Sequence, residues 1–362
     1  MKILFISHSY PPIVGGVESQ NFELYTWLSK IAEVKLLANK KRWLIPFFLK
    51  YAAIRAIFSA KNYDTILLGS CLLGNVGWIV KKISKKPIIA VAHGLDLTWK
   101  NKIYQKLWVK KFIPSIDKLI CVGNETVRVA KEKGIAPEKL VFIPNGIDIE
   151  KFLKPHTKDE LEKIIGEKLN GRKTILTTGR LAVHKGIDWF CENVMPKMRE
   201  NILYIIAGDG EKKDEIKKII KNKNLEKKVK FLGYVSDEDR EILYNTADLY
   251  VKPNIKVEGT MEGFGLVAIE AASCKLPVIA SKLEGLKDAI KDGQNGFLVE
   301  SGNTMAWIEK INELLNDDNF RKEFGEKARQ FVIENYSWEK IAKKYLEEIE
   351  KTMQSPPLEK GD

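Results

Sequence analysis

Two glutamates, Glu262 and Glu270, stand eight residues apart and bracket the run Gly263-Phe264-Gly265-Leu266-Val267-Ala268-Ile269. The glycines mark a turn before an apolar helix, so Glu262 precedes the helix and Glu270 lies inside it. A carboxylate on so apolar a helix needs a partner, because an unpaired buried charge is costly, and a pair of ligand hydroxyls would serve. Upstream, Gly179-Arg180 and Lys185-Gly186 follow an apolar run and open another helix. Two cations beside glycines at a strand's carboxyl end suit a diphosphate, and equally a solvated surface pair. Gly15-Gly16, after the first apolar run, reads either as a phosphate cradle at a helix start or as a plain loop. Gly208 and Gly210 form a further close-approach turn. His93, read alone, is a structural histidine, as are His8, His156 and His184, although His8 is close to the Gly15-Gly16 loop.

These residues must be held by something, and the apolar pattern says what. Runs at residues 3–6, 34–37, 65–68, 88–91, 118–122 and 140–143 alternate with helix-period segments. After a polar stretch a second series follows at 174–178, 203–207, 230–232, 249–252, 278–280 and 297–299. Such alternation predicts parallel sheets covered on both faces, in two doubly wound α/β domains. Length agrees: 362 residues, 44% hydrophobic and 30% charged, make two domains with a sizeable core and exclude collagen, coiled coil and disorder. Ligands bind outside the carboxyl ends of such strands, which places the expected site in a cleft between the two sheets. Residues 320–335 and 338–353 read as helices with no strand after them, and 355–362 as a frayed tail. The four cysteines are far apart and form no C-x-x-C pair, which argues against a zinc site or a disulfide framework and for a reducing compartment. The start is too short for a secretory signal, and the longest uncharged stretch, 16 residues at 65–80, falls short of the about 20 that span a bilayer.

The net charge of +12 is confined to one half: residues 1–150 hold 23 lysines and arginines against 11 acids, whereas the remainder holds 37 of each. Lys40, Lys41, Arg42, Lys50, Arg55 and Lys61 are interleaved with Trp43, Phe47, Phe48, Ile54 and Phe58. The stretch reads either as a basic amphipathic helix in a lipid headgroup layer or as a core helix with a solvated face. A second basic run, Lys100 to Lys111 with Trp99 and Trp108, adds weight to the membrane surface. No nucleic-acid recognition motif accompanies the charge.

Gly15-Gly16, Pro144-Asn145-Gly146-Ile147-Asp148, Gly179-Arg180 with Lys185-Gly186, and Glu262 to Glu270 occur in an order that resembles glycosyltransferase family 4, retaining enzymes of the GT-B fold. The resemblance runs from residue 1 to about 350. It implies two Rossmann-like domains facing across a cleft: 1–155 for the acceptor and 156–335 for the nucleotide sugar. It also implies a C-terminal helix, 336–354, returning to the first domain, with a flexible tail at 355–362. It assigns Glu262 to the donor sugar's hydroxyls, with Gly263, Phe264, Gly265 and Leu266 giving backbone N–H groups. Glu270 is assigned to the ribose, and Arg180 and Lys185 to the leaving diphosphate. Gly179 and Gly208 belong with the donor loops, and Gly15 and Gly16 close over the diphosphate from the other domain. His93 matches the family's active-site histidine, while Asn145 and Asp148 shape the cleft. Three departures are visible: His184 where an acid is common, Lys275 where glycine is common, and Leu283-Glu284-Gly285-Leu286-Lys287-Asp288 in place of Gly-Gly-Ile-Pro-Glu. They bear on sugar specificity rather than on the reaction.

The expected function is therefore a retaining transferase that moves a sugar from a nucleoside-diphosphate sugar to a hydroxyl of an anionic or membrane-associated glycan or lipid. Polysaccharide and lipopolysaccharide synthesis are the natural settings. No D-x-D pair is placed to hold a metal-bound diphosphate, so no metal and no cofactor besides the donor substrate is expected. Lys40, Lys41, Arg42 and Lys50 are the expected membrane or acceptor contacts. The location is expected to be cytoplasmic, peripheral on the inner membrane face if the basic segment binds lipid, with no nucleic-acid partner. Two other classes stand beside this: a nucleotide-sugar epimerase of the same fold, which would consume donor without acceptor, and a non-catalytic basic protein that binds polyanions or membranes.

Overall fold

Short apolar runs become twelve strands because nearly every side chain in them can be buried on both faces of a sheet. In the computed structural model, which describes residues 1–354, the first six are β1 (Lys2–Ser7), β2 (Glu33–Ala38), β3 (Thr65–Leu68), β4 (Ile88–Ala92), β5 (Lys118–Cys121) and β6 (Leu140–Phe142). The second six are β7 (Lys173–Thr178), β8 (Ile202–Ala207), β9 (Val229–Gly233), β10 (Leu249–Lys252), β11 (Val278–Ser281) and β12 (Phe297–Val299). They form two six-stranded sheets, ordered β2-β1-β3-β4-β5-β6 and β12-β11-β10-β7-β8-β9, with every pairing parallel. The doubly wound architecture expected from the alternation is the one observed. The expected tail, 355–362, lies outside the described residues.

The chain divides into two compact units, Met1–Gly146 with the chain from Tyr336 onward, and Ile147–Asn335. The division falls at Gly146 rather than at residue 155 because the intervening residues pack on the second unit. There Asn245 Nδ2 donates to the Phe152 carbonyl, the Phe152 and Tyr244 rings meet edge to face at 5.6 Å, and Arg329 donates to the Ile149 carbonyl at 3.0 Å. Gly146 is a glycine for a steric reason: a Cβ there would lie 2.6 Å from the Trp338 ring.

Trp338 opens the last helix, Trp338–Gln354, whose Ile341, Ala342, Tyr345 and Ile349 are buried with Ile3, Phe5, Leu24 and Leu28 in the core of the first unit. The C-terminal helix thus completes the first domain, as the resemblance implied. On the other face of that sheet the helix Ile45–Ser59 packs beside Gly74–Ser84, which in turn touches the π-helical turn Gln105–Phe112. Residues 65–80 are β3 and the start of the helix after it. Arg42–Asn62 is the one helical stretch among the described residues that is long and apolar enough to cross a membrane by length and composition.

Lys275 explains one departure from the family pattern, because its φ is +63°, in the left-handed region that glycine occupies without strain. Its carbonyl also lies 2.1 Å from where a Cβ on Gly325 would sit, so the loop is fixed from both sides. Lys275→Gly is expected to raise the unfolding free energy by about 1 kcal/mol, less whatever the exposed Lys275–Glu326 ion pair at 2.7 Å contributes; the urea midpoint measures it.

Candidate active site

In a doubly wound sheet the loops diverge where strand order reverses, leaving a crevice at the carboxyl ends. The second sheet reverses between β7 and β10, and the first between β1 and β3. Both places hold the residues singled out above.

After β7 the chain turns at Gly179, with φ +115°. A Cβ on Gly208 would lie 1.9 Å from the Gly179 carbonyl oxygen, so Gly208 lets the β8 loop touch the β7 loop and fix it. Arg180 follows, exposed to solvent. Gly186 (φ +63°) is pressed against β10's end, where a Cβ would meet the Pro253 carbonyl at 2.1 Å. That contact brings Lys185 beside Lys252, the last residue of β10. Glu262, buried at 9% exposure, arrives from the following loop and pairs with the Lys185 ammonium. It accepts from Asn254 Nδ2 at 2.9 Å and lies 3.8 Å from Lys252 Nζ. Its backbone is fixed as well: the Glu262 N–H donates to Glu284 Oε2 at 2.7 Å, and the Gly285 N–H donates to the Glu262 carbonyl at 3.1 Å. Glu284 holds this position from a left-handed conformation, φ +47°.

Burial pushes the Glu262 carboxyl up, but Lys185, Lys252 and the Asn254 amide outweigh it and hold the group well below the usual carboxylate range. Lys252 is driven the other way: burial first, then Lys185, push its ammonium down to about 7 against the pull of Glu262. His184 is pushed down to about 4 by burial and then by Lys185, so its ring is neutral at pH 7. Two lysines, Lys185 and Lys252, thus face one carboxylate, and Arg180 stands exposed at the end of the β7 loop. Such an excess of positive charge at a crevice suits an anion with more than one negative charge.

Glu270 sits in the helix Leu266–Ser273, which begins after Gly265 (φ +91°). A Cβ on Gly265 would lie 2.5 Å from Leu286, and Phe264 is buried, so the turn that starts the helix is rigid and its first N–H groups are aimed outward from β10. The partner that the Glu270 carboxylate requires is in the first instance a protein hydroxyl. Tyr244 Oη donates to Oε2 at 3.1 Å and is itself 2.8 Å from Thr178 Oγ1. The half-buried carboxylate also pulls the Arg240 guanidinium up against the effect of burial.

In the first unit a cavity of about 260 Å³ opens at the β1/β3 reversal, lined by His8, Ser70, His93, Leu95, Asp96 and Trp99 among others. His93 Nε2 is 3.0 Å from the Gly69 carbonyl, an atom that only accepts, so Nε2 carries a hydrogen, and in the neutral ring Nδ1 is the acceptor. Its loop is held by Asp96, whose Oδ1 accepts from the N–H groups of His93 and Gly94, both at 3.0 Å, and whose Oδ2 accepts from Cys71 N at 3.1 Å. His8 is pushed down to about 4, chiefly by burial and then by His93, and its Nδ1 has no hydrogen-bond partner among the described residues. Gly15 is extended, and a Cβ there would lie 2.3 Å from Glu18 Oε2; Gly16 opens the helix Gly16–Leu28 with clear space beside it. Glu18 is buried, accepts from the Ser9 hydroxyl, and lies 3.8 Å from Arg42.

The structure therefore brings Lys185, Glu262 and the Gly179 and Gly208 loops together in one unit, with Arg180 at their rim, and His93 with His8 in the other. Arg42 leans on Glu18 beside the glycine loop, unlike Lys40, Lys41 and Lys50, which are simply exposed. Asn145 is buried, its Oδ1 without a hydrogen-bond partner among the described residues, and Asp148 caps a local turn by accepting from the Glu150 N–H at 3.1 Å. Sequence reasoning passed over Lys252, Asn254 and Tyr244, and took His8 for a structural histidine close to the Gly15-Gly16 loop. A signal for Lys252 was available, since a lysine closing the run Leu249-Tyr250-Val251 at the end of a buried parallel strand has nowhere to go but the crevice.

The sequence model of glycosyl transferases group 1 matches residues 158–331, and that of glycosyltransferase family 4 matches residues 9–151. An uncharacterized glycosyltransferase of Methanocaldococcus jannaschii is 25% identical over 97% of this chain and 98% of its own. A UDP-Gal:alpha-D-GlcNAc-diphosphoundecaprenol alpha-1,3-galactosyltransferase of Escherichia coli is 29% identical over 72% of this chain and 68% of its own. Among solved structures, the Anabaena protein HepE in complex with UDP superposes with a TM-score of 0.78 at 22% identity, covering 97% of this chain and 100% of that one. With both halves matched in order and both sheets of GT-B form, the chain belongs to the family 4 glycosyltransferases and is a hexosyltransferase.

Proposed function

We propose that the chain transfers a sugar from a nucleoside-diphosphate sugar, with retention at the anomeric carbon, to a hydroxyl of a glycan that is anionic or carried on a lipid. The observation that carries the donor half is the cluster of Lys185 and Lys252 around Glu262 at the β7/β10 reversal. In this reading the bond from the anomeric carbon to the diphosphate breaks, its electron pair staying on the phosphate oxygen. The acceptor oxygen bonds to the same face of the carbon, and its proton passes to the departing diphosphate. Lys185 offers Glu262 one of its N–H groups and has two more for phosphate oxygens, with Arg180 completing the positive wall. Glu262 and the N–H groups of residues 263–266 hold the sugar, and Glu270, with Tyr244 on one oxygen, holds ribose hydroxyls on the other. His93 offers Nδ1 as an acceptor to a substrate hydroxyl.

The acceptor half rests on the charge asymmetry and on relatives: the Escherichia coli enzyme named above acts on a diphosphoundecaprenol-linked sugar, and a Staphylococcus aureus relative is a poly(ribitol-phosphate) alpha-N-acetylglucosaminyltransferase. A panel of UDP- and GDP-sugars tests the donor. One member is expected to stabilise the protein by about 2.7 kcal/mol when present at a hundred times its dissociation constant, read as a rise in Tm, and to be hydrolysed slowly without acceptor. Glu270→Ala should weaken that binding about tenfold, the loss of one charge-assisted hydrogen-bond site. If no nucleotide sugar shifts Tm or is turned over, the donor reading fails.

A further inference from the structure

The helix Ile45–Ser59 has two apolar faces, and only one of them is buried. Phe48, Ala52, Ala53 and Ala56 pack into the first unit. Trp43, Phe47 and Phe58 stand out at 70%, 68% and 77% exposure, with Tyr51 and Ile54 also exposed. Trp43 precedes the helix in the 3-10 turn Arg42–Leu44, and at 100° per residue Phe47, Tyr51, Ile54 and Phe58 fall within an arc of about 60° opposite the buried alanines. Lys50 and Arg55 lie on its two edges, both exposed. A helix on the surface of a globular unit ordinarily turns charge outward; here charge borders a stripe of aromatic residues. A second stripe runs along residues 95–107, where Leu95, Trp99, Ile103 and Leu107 are exposed four residues apart among Lys100, Lys102 and Lys106. The helix Gly74–Ser84, with Ile83 exposed, touches the elements that carry both stripes.

We propose that this layer of the first unit is a membrane-docking surface that lies in the headgroup region of a bilayer containing anionic lipids. Arg42–Asn62 does not cross the bilayer, because crossing would strip Phe48, Ala52 and Ala56 from the core they fill. It lies flat, with Trp43, Phe47, Tyr51, Ile54 and Phe58 in the acyl boundary and the cations at phosphate level. Charge selects the occupant. Residues 34–63 contain no acid, and the one acid of the second stripe, Asp96, spends its oxygens on three backbone N–H groups. Two copies meeting through this face would set lysine against lysine, whereas an anionic surface complements it. The inference does not depend on the donor chemistry, and it places the acceptor cavity beside lipid, since Leu95 and Trp99 belong both to that cavity and to the second stripe.

The test is flotation with vesicles of phosphatidylcholine carrying about 30% phosphatidylglycerol, against phosphatidylcholine alone. The protein is expected to float with the anionic vesicles. Trp43→Ser/Phe47→Ser/Phe58→Ser should weaken binding at least about tenfold, and Lys50→Glu/Arg55→Glu should abolish the preference for anionic vesicles. Thermal unfolding of the variants, together with the Tm shift given by a nucleotide sugar, shows that each is folded with its donor site intact. Because the triple variant removes only exposed side chains, retained stability with lost flotation supports the proposal. Failure of the native chain to float, binding unchanged in the triple variant, or sedimentation showing a dimer that the triple variant dissolves overturns it.

Discussion

Lys185→Met should lower turnover of the cognate nucleotide sugar by about 10²–10³-fold, the usual effect of removing one preorganised donor from a site of developing negative charge. The reasons are local. Lys185 is held against Glu262 and beside β10 by a loop whose Gly186 admits no side chain. The substitution also leaves Glu262 with Lys252 and Asn254 alone, and breaking a buried pair costs about 3–5 kcal/mol when nothing compensates. The Lys252 ammonium offsets part of that loss by drawing closer to full protonation. The remaining loss of stability is measured by urea unfolding of the same variant, and turnover is compared for the folded protein. Lys185→Arg should recover part of the activity, since its guanidinium also donates to carboxylate and phosphate. Turnover within threefold of the native rate in Lys185→Met would remove the proposed role.

The second large effect concerns pH and Lys252. In the unfolded chain this lysine binds its proton below about 10.4; in the folded one burial and Lys185 delay binding until about 7. Above the unfolded value both states are neutral and nothing is lost. As pH falls through the interval the unfolded state takes up the proton first, so stability declines, and below about 7 both are charged and the decline stops. Lys252→Met removes this lysine's part of the slope. The unfolding free energy of the variant relative to the native chain should therefore rise as pH is lowered from 10 to 7, by an amount on the order of 1–4 kcal/mol, as for other buried charges replaced by apolar residues. Glu262, Lys185, His184 and Glu270 face the same crevice; Glu262 and His184 are driven to low values and do not titrate in that range. Urea titrations at four pH values decide it, and a difference independent of pH would mean that Lys252 is solvated.

The fold was legible because its strands are short runs rich in Ile, Leu and Val, and in a parallel sheet covered on both sides burial favours that composition. The glutamate helix was legible for the opposite reason: a charge in an apolar run has to be accounted for. What could not be read was which groups would answer it. Tyr244 reaches Glu270 from the helix Asp237–Thr246, and Asn254 reaches Glu262 from beyond β10. Both contacts depend on how the chain folds back on itself on either side of β10, which side-chain spacing does not encode. His8, after β1, sits with His93, after β4, because only β3 separates those two strands in the sheet. The basic segment at 40–61 was read as amphipathic with two readings open. The structure shows five large apolar side chains on its outward face, which periodicity could not assign to a side because both sides are apolar.

The split of the first unit around the second has a bearing on how the protein is made. On the ribosome, residues 147–335 emerge as one uninterrupted stretch and can settle as soon as they clear the exit tunnel. The N-terminal half, synthesised earlier, still lacks Trp338, Ile341, Tyr345 and Ile349, and must leave the side of its sheet around Ile3, Phe5 and Leu28 uncovered until the helix Trp338–Gln354 has been made. The unit begun earlier is thus sealed later than the one made after it, and a stop codon before Trp338 would do its damage in the core around Ile3 and Phe5.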